Sequence, residues 1–357
     1  MDMQKTIFVV DDNDTNLSMA EEALEDQYRL MTLPSAAKMF ALLEKILPDL
    51  ILLDIEMPEM DGFMALAELK SSPKYADIPV IFLTSMTDAA VEAQGFQLGV
   101  VDFITKPFST PVLLNRIKTH LNIDELIRDR TAQIQKLKNA IVFSFADIVE
   151  KRDQETGGHV ERTSEYIGIL IDAMLARGLY EGEIRNMDRE SLVSSARLHD
   201  VGKISIPDGI LNKPGKLTDE EFNTMKTHTL EGEAIIDQMA SRADDDEFLR
   251  NAKLFAGCHH ERWDGKGYPR GLKGTDIPIQ GRLMAFADVF DALVSERPYK
   301  KPFSDEEAVR MIMENKGTQF DPFIADVFQE VIDQFIEVKL RLADVAPAGG
   351  KAGTTSV

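Results

Sequence analysis

Two histidines stand side by side in the stretch Cys258-His259-His260-Glu261-Arg262-Trp263-Asp264-Gly265-Lys266-Gly267-Tyr268-Pro269, which also holds the only cysteine and the only tryptophan of the chain. A neutral imidazole is a ready metal ligand. Other metal-capable side chains upstream and downstream come in small groups. Glu155 and His159 are spaced i, i+4, so a helix would put them on one face. His199-Asp200 closes a strongly apolar helical segment, and His228 follows the Lys213-Pro214-Gly215 loop. Asp288 lies inside the apolar run Leu283–Phe290, where a carboxylate needs a cation or several donors. Gaps of about thirty to forty residues fit one ligand group per helix around a bundle core. The chemistry open to such a set is that of a multi-metal site in a helical bundle. The sixth histidine, His120, is read as a surface residue.

A second set is built from oxygen ligands. Asp11-Asp12, Asp54, Thr84-Ser85 and Lys106-Pro107 each follow a short apolar run. Carboxylates gathered at one edge repel one another unless a cation lies between them, and an all-oxygen set suits Mg²⁺. A lysine nearby offers a point charge for a phosphoryl group, and the threonine hydroxyl a further donor.

The elements that must position these residues differ between the two parts of the chain. In the first part, Ile7–Val10, Arg29–Thr32, Leu50–Leu53, Val80–Leu83 and Val101–Phe103 read as strands. Asn16–Asp26, Ala36–Ile46, Gly62–Lys70 and Ala89–Leu98 read as helices between them. This alternation predicts a doubly wound α/β domain with a five-stranded parallel sheet, whose ligands sit at the carboxyl ends of the strands. From Pro111 to Lys151 there is neither proline nor glycine, which predicts one long helix. Ile127, Ile134, Ile141 and Ile148 recur every seven residues, with Ile123 and Leu137 on the flanking core position and Arg130 and Ser144 weakening it. That spacing fits a short parallel coiled coil between two copies; the alternative is a helix packed on its own domain. Beyond it, helical periods cover Val160–Arg177, Asp188–His199, Asp219–Gln238, Glu247–His259, Gly281–Ser295, Asp305–Asn315 and Pro322–Leu340, and Thr218/Glu221 and Ser304/Glu307 have the form of capping boxes. The expected organisation is residues 1–121, a helical connector at 122–140, an all-α bundle at 141–344 and a disordered tail at 345–357.

With 357 residues and 44% hydrophobic content, the chain is long enough for two or three packed domains. Its net charge of −21 argues against a nucleic-acid polymer as partner. One cysteine excludes an internal disulfide framework and fits a reducing compartment. No signal-peptide pattern and no apolar run of roughly 20 residues is present, so a cytoplasmic protein without membrane insertion is expected.

The first part resembles the response-regulator receiver domain over residues 4–121. The acidic pair, the aspartate in Asp54-Ile-Glu-Met-Pro-Glu-Met-Asp-Gly62, Thr84-Ser85 and Phe103-Ile-Thr-Lys106-Pro107-Phe108 carry that resemblance. It implies that Asp54 accepts a phosphoryl group from a cognate sensor histidine kinase. It further implies that Asp11, Asp12 and Asp54 hold Mg²⁺, that Thr84, Phe103 and Lys106 form the switch, and that the Lys106–Pro107 bond is cis. Residues 140–340 resemble the HD-GYP branch of the HD phosphohydrolases, through His199-Asp200-x-Gly202-Lys203 and His259-His260-Glu-x-x-Asp264-Gly-x-Gly267-Tyr268-Pro269. That resemblance implies metal ligation by Glu155, His159, His199, Asp200, His228, His259, His260 and Asp288, with Asp200 bridging and Glu155 serving a third ion. Lys203 would act with Asp200 in catalysis at the scissile phosphate, and Gly267, Tyr268, Arg297 and Lys300 would meet the substrate. Two basic groups, Lys301 beside Arg297 and Lys300, and Lys266, Arg270 and Lys273, read either as landing sites for phosphates or as solvated surface.

The reading that follows is a two-component response regulator whose phosphorylation controls a phosphodiesterase cleaving cyclic di-GMP to pGpG or GMP, with two or three divalent ions, Fe or Mn, and a homodimeric state. The alternatives are a phosphorylation-gated adaptor that binds a diguanylate cyclase domain, and the same enzyme acting on pGpG or cyclic GMP-AMP.

Overall fold

A computed structural model describes residues 4–85, 89–153, 158–242, 246–296 and 301–343. The chain divides into two compact units, Met1–Gln135 and Lys136–Val357.

In the first unit, strands β1 (Thr6–Val10), β2 (Arg29–Leu33), β3 (Leu50–Asp54), β4 (Val80–Thr84) and β5 (Asp102–Thr105) alternate with helices α1 (Asp14–Leu24), α2 (Ala36–Leu43), α3 (Gly62–Ser71) and α4 (Ala89–Leu98). The five strands form one sheet in the order β2-β1-β3-β4-β5, and all its pairings are parallel. Strands β3 and β4 are buried along their whole length, as a parallel sheet covered on both faces requires. Alternate residues serve opposite faces. Phe8 and Val10 pack with Met39, Leu66 and Leu69, whereas Ile7 and Val9 pack with Leu17, Ala20, Leu113 and Ile117. The strand order reverses between β1 and β3, so the carboxyl ends of these two strands border the crevice where a doubly wound fold binds its ligand.

Helix α5 runs uninterrupted from Thr110 to Arg152, as the absence of glycine and of any proline after Pro111 predicts. In the second unit it is followed by α6 (His159–Ala176), α7 (Glu181–Ile184), α8 (Arg189–Ser195), α9 (Asp208–Leu211), α10 (Asp219–Lys226), α11 (His228–Ala240), α12 (Glu247–Cys258), α13 (Ile279–Val294), α14 (Asp305–Glu314), α15 (Pro322–Glu330) and α16 (Ile332–Ala343). Both predicted capping boxes are formed, at Thr218/Glu221 and Ser304/Glu307. The main core gathers Tyr166, Phe286, Phe290, Phe320, Phe328 and Phe335, with Tyr166 stacked on Phe335 at a centroid distance of 4.4 Å. No strand longer than an isolated bridge, Lys316 with Phe320, occurs among the described residues of this unit.

Three helices expected as single are broken. Asp219–Gln238 divides at Thr227, whose N–H and hydroxyl both turn back to the Thr224 carbonyl and end α10. Pro322–Leu340 divides at Val331, where φ −102° and ψ 11° leave the helical region. The end of Asp188–His199 tightens into a 3₁₀ turn, Ala196–Leu198, and a second one follows at Val201–Ser205. Hydrophobic period does not reveal such breaks, because apolar residues on both sides still face one core. Two of them matter for chemistry: His228 becomes the first residue of α11, and Asp200 stands between the two 3₁₀ turns.

Candidate functional site

Four imidazoles of the second unit share one tautomer because their Nδ1 atoms all face acceptors. Nδ1 of His199 lies 3.0 Å from the Ala196 carbonyl, and Nδ1 of His228 lies 2.8 Å from that of Met225. His259 Nδ1 is 3.0 Å from the carbonyls of Phe255 and Ala256, and His159 Nδ1 is 2.8 Å from Asp291 Oδ2. A carbonyl or carboxylate oxygen accepts only, so each Nδ1 carries the proton and each Nε2 presents a lone pair. Those lone pairs converge. His228 Nε2 and His259 Nε2 are 3.2 Å apart, and both approach Asp200 Oδ1, at 3.4 and 3.5 Å. His199 Nε2 is 3.4 Å from Asp200 Oδ2. His199 Nε2 and Asp200 Oδ1 are buried without a hydrogen-bond partner.

For His228 and for the neighbouring His260, protonation is not a ready escape from this crowding. Burial drives the His228 imidazole down to about 4, and burial with the neighbouring His259 and His228 rings holds His260 well below the usual histidine range. Acceptors facing acceptors in a dry site are stabilised by a cation among them, and mixed imidazole and carboxylate donors suit a divalent transition metal. The ligand atoms of His228, His259 and His260 lie within 4.8 Å of one another, as do those of His159, His199 and Asp200. The donor set therefore fits divalent metal binding, with Asp200 near both groups. Asp288, on α13, adds an oxygen 3.7 Å from His159 Nε2. The structure thus brings together His159, His199, Asp200, His228, His259, His260 and Asp288. Glu155, Arg297 and Lys300 lie outside the described residues.

The Asp200 carboxyl is opposed by burial, yet the Lys203 ammonium beside it holds it well below the usual carboxylate range. Lys203 Nζ sits 2.8 Å from Asp200 Oδ2 and 2.5 Å from Asp153 Oδ2, a cation clamped by two carboxylates. The 3₁₀ turn that carries Lys203 lies directly against α11. A Cβ on Gly202 would stand 1.9 Å from the His228 carbonyl, so only glycine allows this approach. Gly267 is constrained in the same way, since a Cβ there would meet the Arg262 nitrogen at 2.4 Å. It leads to Tyr268, whose N–H donates to the His260 carbonyl and whose ring lies 4.7 Å from that of His260. Arg270 is engaged in holding this loop, bonding Glu233 through its guanidinium and the buried Glu261 through its N–H. Its contacts are those of a structural residue. Cys258 is buried, with burial pushing its thiol up to about 11.

Sequence reasoning missed Asp291. This buried carboxylate on α13 accepts from Arg162 Nε at 2.6 Å and Nη2 at 2.8 Å besides its contact with His159. Burial works against its charge, but Arg162 and His159 hold it at about 2. A ligating histidine whose second nitrogen is held by a carboxylate is oriented and made more basic. The signal was present in the i, i+3 pair Asp288 and Asp291 within one apolar helix.

In the first unit, oxygens of Asp11, Asp12 and Asp54 lie within 4.8 Å of one another at the carboxyl edge of the sheet. Lys106 Nζ is 2.7 Å from Asp11 Oδ2 and 2.8 Å from Asp54 Oδ1. Burial pushes the Asp54 carboxyl up, against the opposite pull of Lys106. Asn16 Nδ2 donates to both Asp11 oxygens at 3.0 and 3.1 Å, which fixes that carboxylate. Thr84 is buried at the end of β4, Phe103 packs edge-on to Phe82 and Phe96, and the Lys106–Pro107 bond is cis. A Cβ on Gly62 would meet the Asp54 carbonyl at 2.4 Å, so the turn after Asp54 needs glycine there.

Comparison with known proteins gives the same division. The response regulator receiver domain family matches residues 7–118, and the HD domain family matches residues 144–324. HD domains are metal-dependent hydrolases. The chain is 39% identical over 96% of its length to a probable cyclic di-GMP phosphodiesterase of Vibrio cholerae, covering 81% of that protein. It is 33% identical over 91% of its length to the cyclic di-GMP phosphodiesterase response regulator RpfG of Xanthomonas campestris, covering 87% of it. Over 59% of its length it is 40% identical to 3'3'-cGAMP-specific phosphodiesterase 2 of Vibrio cholerae, covering 38% of that protein.

The Asp291 contact makes the first prediction. Asp291→Asn is expected to weaken Mn²⁺ binding roughly 10- to 100-fold while the far-UV circular dichroism stays unchanged. Titration of the metal-free protein with Mn²⁺ measures this, and an unaltered affinity would show that His159 needs no orienting carboxylate.

Proposed function

The chain belongs to the cyclic di-GMP phosphodiesterase response regulators, in which a receiver domain is joined to an HD domain, and from that membership we propose how its own residues divide the work. The second unit hydrolyses a phosphodiester bond of cyclic di-GMP, giving pGpG and onward GMP. His159, His199, Asp200 and Asp288 would hold one ion, and His228, His259 and His260, with Asp200 beside them, would hold the other. Glu155 would serve a third. Fe or Mn fits these donors best. Bound divalent ions supply Lewis acidity to the phosphate oxygens and bring the pKa of a water near neutrality. The observation that carries this reading is the convergence of three Nε2 lone pairs on the Asp200 carboxylate.

The protein's share of the chemistry is orientation and charge. Backbone acceptors and Asp291 fix the rings, so the donor geometry is set before any ion arrives. Lys203 is held at the centre by Asp153 and Asp200, where its ammonium can offset charge that develops on the phosphoryl group. Tyr268, supported on His260, offers a ring face to a guanine, and Gly267 lets its loop lie flat against the metal-binding segment. Arg297 and Lys300 are assigned to the substrate phosphates. The likeness to a cGAMP-specific enzyme supports a second reading of the base preference, with cyclic GMP-AMP in place of cyclic di-GMP.

Control is assigned to the first unit. Asp54 takes a phosphoryl group from an upstream donor, a sensor histidine kinase, with Mg²⁺ held by Asp11, Asp12 and Asp54 and the charge met by Lys106 and Thr84. The uninterrupted α5 supports passage of the signal along one helix. Its heptad positions Ile123, Ile127, Ile134, Leu137, Ile141 and Ile148 are all between 47% and 67% exposed, which supports pairing with a second copy of the chain. No helix among the described residues is long and apolar enough to cross a membrane.

Three outcomes follow. Asp200→Ala is expected to remove bound metal and cyclic di-GMP turnover together, by elemental analysis and product chromatography; retained turnover would sink the assignment. Beryllofluoride with Mg²⁺ is expected to change turnover or oligomeric state in the native protein and to change neither in Asp54→Ala. Ile134→Glu with Ile141→Glu is expected to give a monomer by light scattering at concentrations where the parent is dimeric.

A further inference from the structure

Helix α6 begins at the metal-ligand candidate His159, but its N-cap is Gly158, at φ 92° with no capping side chain. The cap comes from another helix. Glu150, buried near the end of α5, accepts the His159 N–H at 3.0 Å and the Val160 N–H at 3.5 Å through its two oxygens. A carboxylate at a helix N-terminus also meets the positive end of the helix dipole.

The same turn of α5 also grips the segment that follows Asp200. Arg152 donates through Nη1 to the carbonyls of Lys203 and Ile204, at 3.0 and 2.6 Å, and through Nη2 to that of Ile206 at 2.7 Å. These carbonyls belong to the 3₁₀ turn after Asp200 and its exit. The Arg152 carbonyl in turn accepts from Asn212 Nδ2 at 3.0 Å, and Asp153 holds the Lys203 ammonium. Three nearby residues of one helix end thus tie down both backbone segments that flank the metal-binding groups, α6 through His159 and the 3₁₀ turn through Lys203.

We propose that the C-terminal turn of α5 is a clasp in which Glu150 and Arg152 act as positioning residues, Glu150 setting the place of the His159 ring and Arg152 that of the Asp200–Lys203 segment. Glu150 holds the backbone N–H groups of His159 and Val160, and Arg152 holds the carbonyls of Lys203, Ile204 and Ile206. Each acts through backbone groups whose displacement by a fraction of an ångström shifts the attached side chains. This rests on the phosphodiesterase reading for its turnover arm, but not for its metal-binding arm.

The test uses the full-length protein, Mn²⁺ as the metal probe and cyclic di-GMP as substrate. Glu150→Ala is expected to weaken Mn²⁺ binding about tenfold, the scale of a lost outer-sphere support. Glu150→Gln, whose amide oxygen still accepts the His159 N–H, is expected to return within about threefold of the parent. Arg152→Met is expected to lower kcat about tenfold with KM altered less than about threefold, the signature of a misplaced reacting group rather than of lost binding. Mn²⁺ affinity in Glu150→Ala equal to that of the parent, or failure of Glu150→Gln to recover it, overturns the assignment of Glu150. A parent-like kcat in Arg152→Met overturns that of Arg152. Should Glu150→Ala fail to fold, Glu150→Asp, whose shorter carboxylate cannot keep both N–H bonds, takes its place under the same criterion. If the parent binds Mn²⁺ but cleaves no cyclic dinucleotide, the functional reading fails, while the Mn²⁺ isotherms still decide the clasp: weaker binding than the parent is expected in Glu150→Ala and in Arg152→Met, and parent-like binding overturns the residue concerned.

Discussion

Everything in the second unit answers to one electrostatic problem, the gathering of lone pairs around the Asp200 carboxylate. Four rings have their Nδ1 protons committed to oxygen acceptors, so none can relieve the crowding by switching tautomer. Packing that forces acceptors together in a dry interior is unfavourable by several kcal/mol unless a cation is added. The fold supplies that packing from its aromatic core and pays in conformational freedom at a few chain positions. The metal-free protein therefore carries a built-in preference for cations, and metal affinity and fold stability are two readings of one free energy.

The glycines show how tight the arrangement is. At Gly202 and Gly267, and again at Gly281, where a Cβ would stand 2.7 Å from the Cys258 carbonyl oxygen, backbone approaches backbone at distances no side chain permits. Each lies beside a segment bearing a ligand candidate. Donor candidates drawn from α6, α11, α13, the end of α12 and the turn at Asp200 can converge within a few ångströms only if these segments themselves touch, and glycine is the residue that lets them do so.

Much of this was legible in the sequence, for identifiable reasons. Strands β1, β3 and β4 are continuous apolar runs ending in an acidic residue or a threonine, and the sheet order follows from their alternation with helices. The ligand candidates could be found because histidine is rare here and a carboxylate in an apolar run is conspicuous. What could not be read were the roles that depend on which oxygen faces which nitrogen. Asp291 looks like a second copy of Asp288 in sequence, yet the two differ by one turn of helix and so by function, one toward the metal donors and one toward the far nitrogen of His159. Glu150 and Arg152 look like ordinary charged residues near a helix end. The contacts that matter, from Glu150 to the His159 N–H and from Arg152 to the carbonyls after Asp200, are to backbone groups, and backbone groups leave no trace in residue identity. The break at Thr227, which makes His228 a helix start, was hidden because the apolar period continues through it.

The exposed stripe on α5 has a torsional consequence. Its isoleucines repeat every seven residues, whereas a straight helix turns slightly less than twice in that length, so the stripe drifts by about 20° per heptad. From Ile127 to Ile148 the drift reaches roughly 60°. A partner that kept every isoleucine in its seam would therefore wind α5 leftward, and the winding would end within one turn of Glu150 and Arg152. What such a helix delivers to its far end is twist, a rotation of the last turn about its own axis. Such a rotation carries Glu150 and Arg152 together, and with them the two backbone segments they hold, without lengthening or shortening anything.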